Sequence, residues 1–255
     1  MKYLTRGAAT IAAGLLLSYA TASYAADKPT LAFVVNGASD FWKAAEAGVK
    51  KAQAELPDFN LELKYPEQSS VAIQQRLMED LVSAGVKGIM VSAVDPKTST
   101  DGLNKIGSQT ALFTTDSDAP DTNRVAYIGS SNVDAGKQAA EIAKKAMPNG
   151  GKCIGFVGLL GADNAKERKV GFMDSIKNGK LELLDSKTAH WETEEANTVM
   201  TNFLTKYKDI QGVMAANDSM ALGVVKALDA SGQSGKIKVV GFDNIPSVKD
   251  RKSVV

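Results

Sequence analysis

Short apolar runs alternate along this chain with longer stretches in which apolar residues recur every three or four positions. The runs Thr30–Val35, Leu61–Lys64, Gly88–Ala93 and Ala111–Thr115 read as strands, with helices over Phe41–Leu56, Ala72–Ala84 and Thr98–Ile106 between them. Trp42, Ala45 and Val49 stand at helical spacing in the first helix, and Gly85 closes the second. The same order returns further on. Strands are predicted at Cys153–Val157, Leu181–Thr188, Gly212–Ala216 and Ile237–Val240, and helices over Ala165–Lys177, Ala196–Tyr207 and Ser219–Ala230. Strands that alternate with helices indicate βαβ units and parallel sheets. The expected class is α/β.

The two halves also share residues. Gly88-Ile89-Met90-Val91-Ser92-Ala93-Val94-Asp95 resembles Gly212-Val213-Met214-Ala215-Ala216-Asn217-Asp218 with one gap, and Leu112-Phe113-Thr114-Thr115-Asp116 resembles Val239-Val240-Gly241-Phe242-Asp243. Each match is short, but both fall in the same order within their halves. Two similar lobes are therefore expected, the first over residues 26–128 and the second over 129–255, with the boundary near Tyr127–Ser130. Parallel strands deliver polar residues at their carboxyl ends, where open α/β sheets bind ligands. Two such edges facing each other would frame a cleft for a small molecule.

The first 25 residues read as an export signal outside the fold. Lys2 and Arg6 supply the charged start, Ala8–Leu17 an apolar core too short to span a bilayer, and Ser23-Tyr24-Ala25 the small residues of a cleavage site. No Cys stands at that junction to take a lipid. The expected product is a soluble periplasmic protein, cleaved near Ala25. Charge is balanced, with 30 basic and 29 acidic residues and no basic stripe, so nothing suggests nucleic acid or anionic lipid as a partner. Cys153 is alone and lies in an apolar run, so it reads as a buried strand thiol with no internal disulfide.

Motifs for enzymatic chemistry are missing. His190 is the single histidine; there is no G-x-S-x-G elbow, no G-x-G-x-x-G after a strand, no P-loop and no paired His for zinc. No catalytic residue, metal or cofactor is expected. Hydrogen-bonding groups at strand ends do recur, together with the chain's two tryptophans, Trp42 and Trp191. A sugar ring has apolar faces that stack on indoles and hydroxyls that both donate and accept, so Asp116, Arg168, Asn217 and Asp243 with the two tryptophans suit a neutral sugar. Each has a plainer role as well. Trp42 fits a helix's core face, Arg168 a solvated one, and Asp116 a turn. One of Asn217 and Asp218 must cap the following helix; Asn217, nearer the strand end, is assigned to the ligand and Asp218 to the cap.

These residues resemble those of a family, the type I periplasmic sugar-binding proteins of ABC transporters, and within it the ribose-binding group. The likeness covers nearly all the mature chain and is carried by Ala215–Gly223 (AANDSMALG), Val239–Asp243 (VVGFD) and Asn164–Phe172 (NAKERKVGF), more loosely by Leu31–Trp42 and Thr115-Asp116. It implies two doubly wound lobes joined by a hinge, an aromatic pair Phe41 and Trp42 on one sugar face and Trp191 on the other, hydrogen bonds from Asp116, Arg168, Asn217 and Asp243, and a contribution from Asn36. It also implies a monomer that binds a monosaccharide or polyol without turnover and docks on a permease or a chemoreceptor. Ser117 stands where ribose binders place Arg, and Asp40 replaces an Asn-Pro lead, which widens the expected ligand to a pentose, hexose or polyol. Alternatives are a sensor subunit presenting its ligand to a chemoreceptor or histidine kinase, a secreted carbohydrate-active enzyme, and the effector-binding half of a LacI-type repressor, which the leader sequence disfavours. Family members continue beyond the second-lobe Asp with further elements and a third hinge crossing. Against that pattern Ile245–Val255 reads as a shortened C-terminus, expected to leave the first lobe's sheet partly uncovered and one sugar contact missing.

Overall fold

The computed structural model describes residues 28–243. The expected export signal and the expected shortened C-terminus therefore lie outside the described residues.

The first lobe contains β1 (Thr30–Val34), α1 (Asp40–Glu55), β2 (Asn60–Lys64), α2 (Val71–Ser83), β3 (Gly88–Val91), α3 (Pro96–Gly107), β4 (Ala111–Thr115) and β5 (Ala126–Ile128). Its five strands are all parallel, in the order β2-β1-β3-β4-β5. The second contains α4 (Asn132–Ala146), β6 (Gly151–Val157), α5 (Asp163–Ile176), β7 (Leu181–Thr188), α6 (Thr193–Lys206), β8 (Ile210–Ala215), α7 (Asp218–Ala230) and β9 (Lys238–Val240). Its four strands are parallel in the order β7-β6-β8-β9. Matching β1 to β6, β2 to β7, β3 to β8 and β4 to β9 reproduces the first lobe's order. The short sequence repeats thus mark equivalent strands, and the α/β doubly wound class holds.

The sequence reading assigned no element to residues 126–146, where the structure has β5 and α4. β5 is three residues long and half exposed, so it carries no buried alternation. α4 buries Gly136, Ala139, Ala140 and Ala143, residues too small to give a strong apolar stripe. Small residues are required there. A Cβ on Gly136 would strike the Arg168 carbonyl oxygen, and one on Gly171 would strike that of Val133. α4 and α5 therefore meet backbone to backbone, and α4 also packs on β9, which ties it to the second sheet although it follows directly on the first.

Each lobe has its own core. Ala32, Val34, Met78, Ile89, Val91, Leu103, Ile106 and Leu112 fill the first; Ile154, Phe156, Phe172, Met200, Met220, Val224 and Leu228 lead the second. A buried polar side chain trims the first sheet's edge. Gln74 of α2 donates to the carbonyls of Val35 and Ser92 at 2.9 and 2.8 Å and accepts from Val94 N–H at 3.1 Å, so one amide satisfies three backbone groups at the ends of β1 and β3. Cys153 is buried, and loss of hydration pushes its thiol up to about 11. On the first sheet's opposite flank, Leu31, Phe33, Val49, Leu56, Met90, Phe113 and Ile128 line an apolar groove of about 330 Å³. Among the described residues no helix is long and apolar enough to cross a membrane.

Candidate ligand-binding cleft

Both sheets present their strand carboxyl ends to one cleft. β1 leads to Asn36 and Gly37, then to Phe41 and Trp42 in the first turn of α1; Asp116 follows directly on β4. From the second lobe come Asn164 and Arg168 at the start of α5, His190 and Trp191 after β7, Asn217 after β8 and Asp243 after β9. All eight residues singled out in the sequence line this space, joined by Ser39, Ser69, Asn164, His190 and Glu192. The empty volume is about 450 Å³, counting the open mouth.

Asp116 is the junction. Its Oδ2 accepts from Ser92 Oγ in its own lobe and from Asn164 Nδ2 across the cleft, both at 2.9 Å. Its carbonyl accepts from Tyr127 Oη at 3.3 Å and Asn132 Nδ2 at 3.1 Å. Arg168 lies opposite, with Nη2 3.7 Å from Asp116 Oδ1. Its Nε donates to Asn132 Oδ1 at 3.0 Å, its Nη1 to the Ala216 carbonyl at 2.7 Å, and its guanidinium sits 5.0 Å from the centre of the Phe242 ring. The solvated-face reading of Arg168 fails, because its side chain is only 11% exposed.

Asp243 is an exposed residue whose carboxyl is nevertheless pushed up to about 6. Loss of hydration is the first cause; Arg168 pulls the other way, and the carboxylates of Asp218 and Asp116 add to the rise. The rise therefore rests mainly on lost hydration, with the two neighbouring carboxylates working against the Arg168 charge.

The aromatic walls are built differently. Trp42 is buried and donates from Nε1 to Asn36 Oδ1 at 3.1 Å, with Phe33 and Phe41 edge-on at 5.5 and 4.8 Å. It serves the core and the cleft together. Trp191 is half-buried and lies so close over Gly158 that a Cβ there would fall inside the indole. Its Nε1 and Asn164 Oδ1 are buried polar atoms of the cleft that meet no protein partner. Buried polar groups are rarely left unmatched, and these two keep their hydrogen-bonding capacity open.

Among the described residues, the non-glycine positions in the left-handed region are Asp116 (φ 56°), His190 (φ 47°), Trp191 (φ 68°) and Asp243 (φ 68°). Every one of them lines the cleft. Side chains with a Cβ resist this conformation, which is why such strain collects where function holds it in place.

One assignment is corrected. Asn217, not Asp218, caps α7: its Oδ1 accepts from Met220 N–H at 2.8 Å, and the helix begins at Asp218. The strand runs extended into Asn217, the geometry a cap residue needs, so the residue nearest the strand end takes the cap and still lines the cleft. Sequence reasoning passed over Asn164, Ser69 and the Asn132 behind Arg168. Asn164 had a legible signal, since it precedes Arg168 by four residues and so shares its helix face. Among the described residues, no group of three His, Cys, Asp or Glu is placed to hold a metal ion.

A family model described as a periplasmic binding protein domain matches residues 31–251. The chain belongs to the periplasmic binding protein family. It is 31% identical to a ribose import binding protein of Salmonella typhimurium, over 96% of this chain and 83% of that one. Among solved structures, an ABC transporter solute-binding protein from Burkholderia graminis in complex with D-arabinose matches with a TM-score of 0.82 and 25% identity, over 89% of this chain and 81% of the other. A solute-binding protein from Actinobacillus succinogenes with bound D-allose gives a TM-score of 0.74 and 28% identity, over 86% and 80%. These relatives are binding proteins and not enzymes.

Proposed function

We propose that this protein is an extracytoplasmic receptor for a neutral monosaccharide or polyol, which it binds between its lobes and releases unchanged to the membrane permease of an ABC transporter. The observation that carries the reading is the convergence of Asp116, Asp243 and Arg168 with two indoles on facing strand ends. A carboxylate accepts from two hydroxyls at once, a guanidinium donates to ring and hydroxyl oxygens, and an indole covers the apolar ring face. Relatives named for ribose, and solved with D-arabinose or D-allose, support that ligand class. Ligand contacts from both lobes favour the closed form, and this difference in affinity drives the hinge. The chain is exported to the periplasm as a monomer, its leader removed near Ala25.

The test is a melting-temperature screen against pentoses, hexoses and polyols, with the bound sugar afterwards recovered and chromatographed. A binder raises the melting temperature and comes back unaltered. A sugar returned hydrolysed, oxidised or isomerised would make the protein an enzyme, and a panel with no binder at all would remove the sugar assignment.

A further inference from the structure

Arg168 is fixed from behind the cleft by a residue that does not line it. Asn132 is the first residue of α4, buried at 7% exposure, at the point where the chain has just crossed between lobes. Its amide has partners in both lobes, and the neighbouring Glu167 carboxyl also interacts with it. Nδ2 donates to the Asp116 carbonyl of the first lobe at 3.1 Å, and Oδ1 accepts from Arg168 Nε of the second at 3.0 Å. The Arg168 guanidinium is planar, so two anchors set its orientation: Asn132 at Nε and the Ala216 carbonyl at Nη1, 2.7 Å away. The donors left over point toward Asp116 Oδ1, which Nη2 approaches to 3.7 Å, longer than a hydrogen bond.

That gap is informative. A freely rotating arginine beside a carboxylate would close on it in a two-pronged pair, the favoured geometry for these groups. Here Asp116 instead takes Ser92 and Asn164, and Arg168 is held just short of it. Both groups are thereby kept available to a third partner in the cleft. The contact of α4 and α5 at Gly136 and Gly171 makes the hold stiff, because Asn132 and Arg168 sit on helices whose backbones touch.

We propose that Asn132 is a positioning residue for ligand binding. It aims the Arg168 guanidinium and anchors the left-handed Asp116 backbone, and through them sets affinity without touching the ligand. Asn132 and Arg168 sit on touching helices of one lobe, so this aim does not wait on lobe closure. The inference rests on the receptor reading for its consequence in affinity, but not for the Asn132–Arg168 geometry itself.

Two measurements on the full mature chain separate these. In the ligand-free protein, the arginine Nε–H resonances are followed by ¹⁵N NMR. One protected signal, identified by its loss in Arg168→Lys, is expected to lose protection in Asn132→Ala and to keep it in Asn132→Asp, where a carboxylate oxygen still accepts. Persistence of that protection in Asn132→Ala, or its loss in Asn132→Asp, overturns the positioning role whether or not any sugar binds. In the second measurement D-ribose, D-arabinose and D-allose are titrated by tryptophan fluorescence into wild type, Asn132→Ala, Arg168→Ala and the double variant. Asn132→Ala is expected to weaken binding about tenfold or more in wild type and by less than about twofold in the Arg168→Ala background. An equal loss in both backgrounds would show a merely structural contribution and overturn the inference. Wild type that binds none of the three sugars counts against the receptor reading for them and leaves the NMR result to decide Asn132.

Discussion

Under the receptor reading proposed above, Asp243 ties stability to binding in a single side chain. Its carboxyl titrates near 6 in the folded protein, above its ordinary value of 3.8, so between those values the folded state binds more protons than the unfolded one. The resulting stabilisation is complete at low pH and is lost as pH rises through about 6. Asp243→Asn should therefore melt higher than wild type at pH 8, with the difference vanishing near pH 4; no difference at pH 8 would mean the carboxyl is not strained there. Sugar affinity should run the other way. Hydroxyls donate to the ionised carboxylate, so wild-type affinity should fall as pH drops below about 6, a calorimetric trend that Asp243→Asn should abolish. Trp191 is the second residue to test. Trp191→Ala should weaken sugar binding by about 1–3 kcal/mol through loss of a stacked, desolvated indole, and unchanged affinity would remove it from the site. At this scale the sequence was informative because Asp116 and Asp243 end equivalent strands after similar residues. Their shared left-handed backbone was invisible, since only three-dimensional neighbours can hold an Asp in that conformation.

Among the elements, α4 is the one whose importance outran its sequence signal. Periodicity reads size and apolarity, whereas α4 packs by the absence of side chains, with Gly136 and Gly171 letting two helices touch. Gly171→Ala should force α4 off α5, where the obstacle is the Val133 backbone and cannot rotate away. About 1–3 kcal/mol of destabilisation is expected, as for other overpacked sites, read from denaturant melts; a loss below about 0.5 kcal/mol, the level of an ordinary surface change, would mean the helices yield easily. The large strands and helices were legible because their apolar residues recur with clear periods. The start of α5 was not, since Asp163 and Asn164 are polar, and its true beginning carries Asn164 into the cleft. The cap of α7 turned on a single backbone angle, which is why two adjacent polar residues could be told apart only in the structure.

Taken as a whole, the molecule is two copies of one architecture whose ligand edges oppose each other, so neither lobe alone assembles the site. Binding that requires both must stabilise the closed pair against unfolding. A sugar supplied at about 100 times its dissociation constant should add about 2.7 kcal/mol to stability, and a melting shift independent of sugar concentration would contradict that linkage. The two-lobed plan was readable from the repeated order of elements and the paired motifs. The crossing at Asn132 was not, because nothing in a local pattern tells which lobe a helix will join.

The left-handed residues carry a lesson for laboratory evolution. Glycine relieves the backbone and removes the strained carboxyl at Asp243, so a selection that ranks variants by heat resistance alone would favour Asp243→Gly, whereas Asp116 and Trp191 are held by contacts that glycine would forfeit. Such a selection would erase a cleft carboxylate while reporting improvement. A library built on this scaffold needs sugar retention as a second gate from its first round, and the positions at which the two gates disagree would map the cleft with no structure at all.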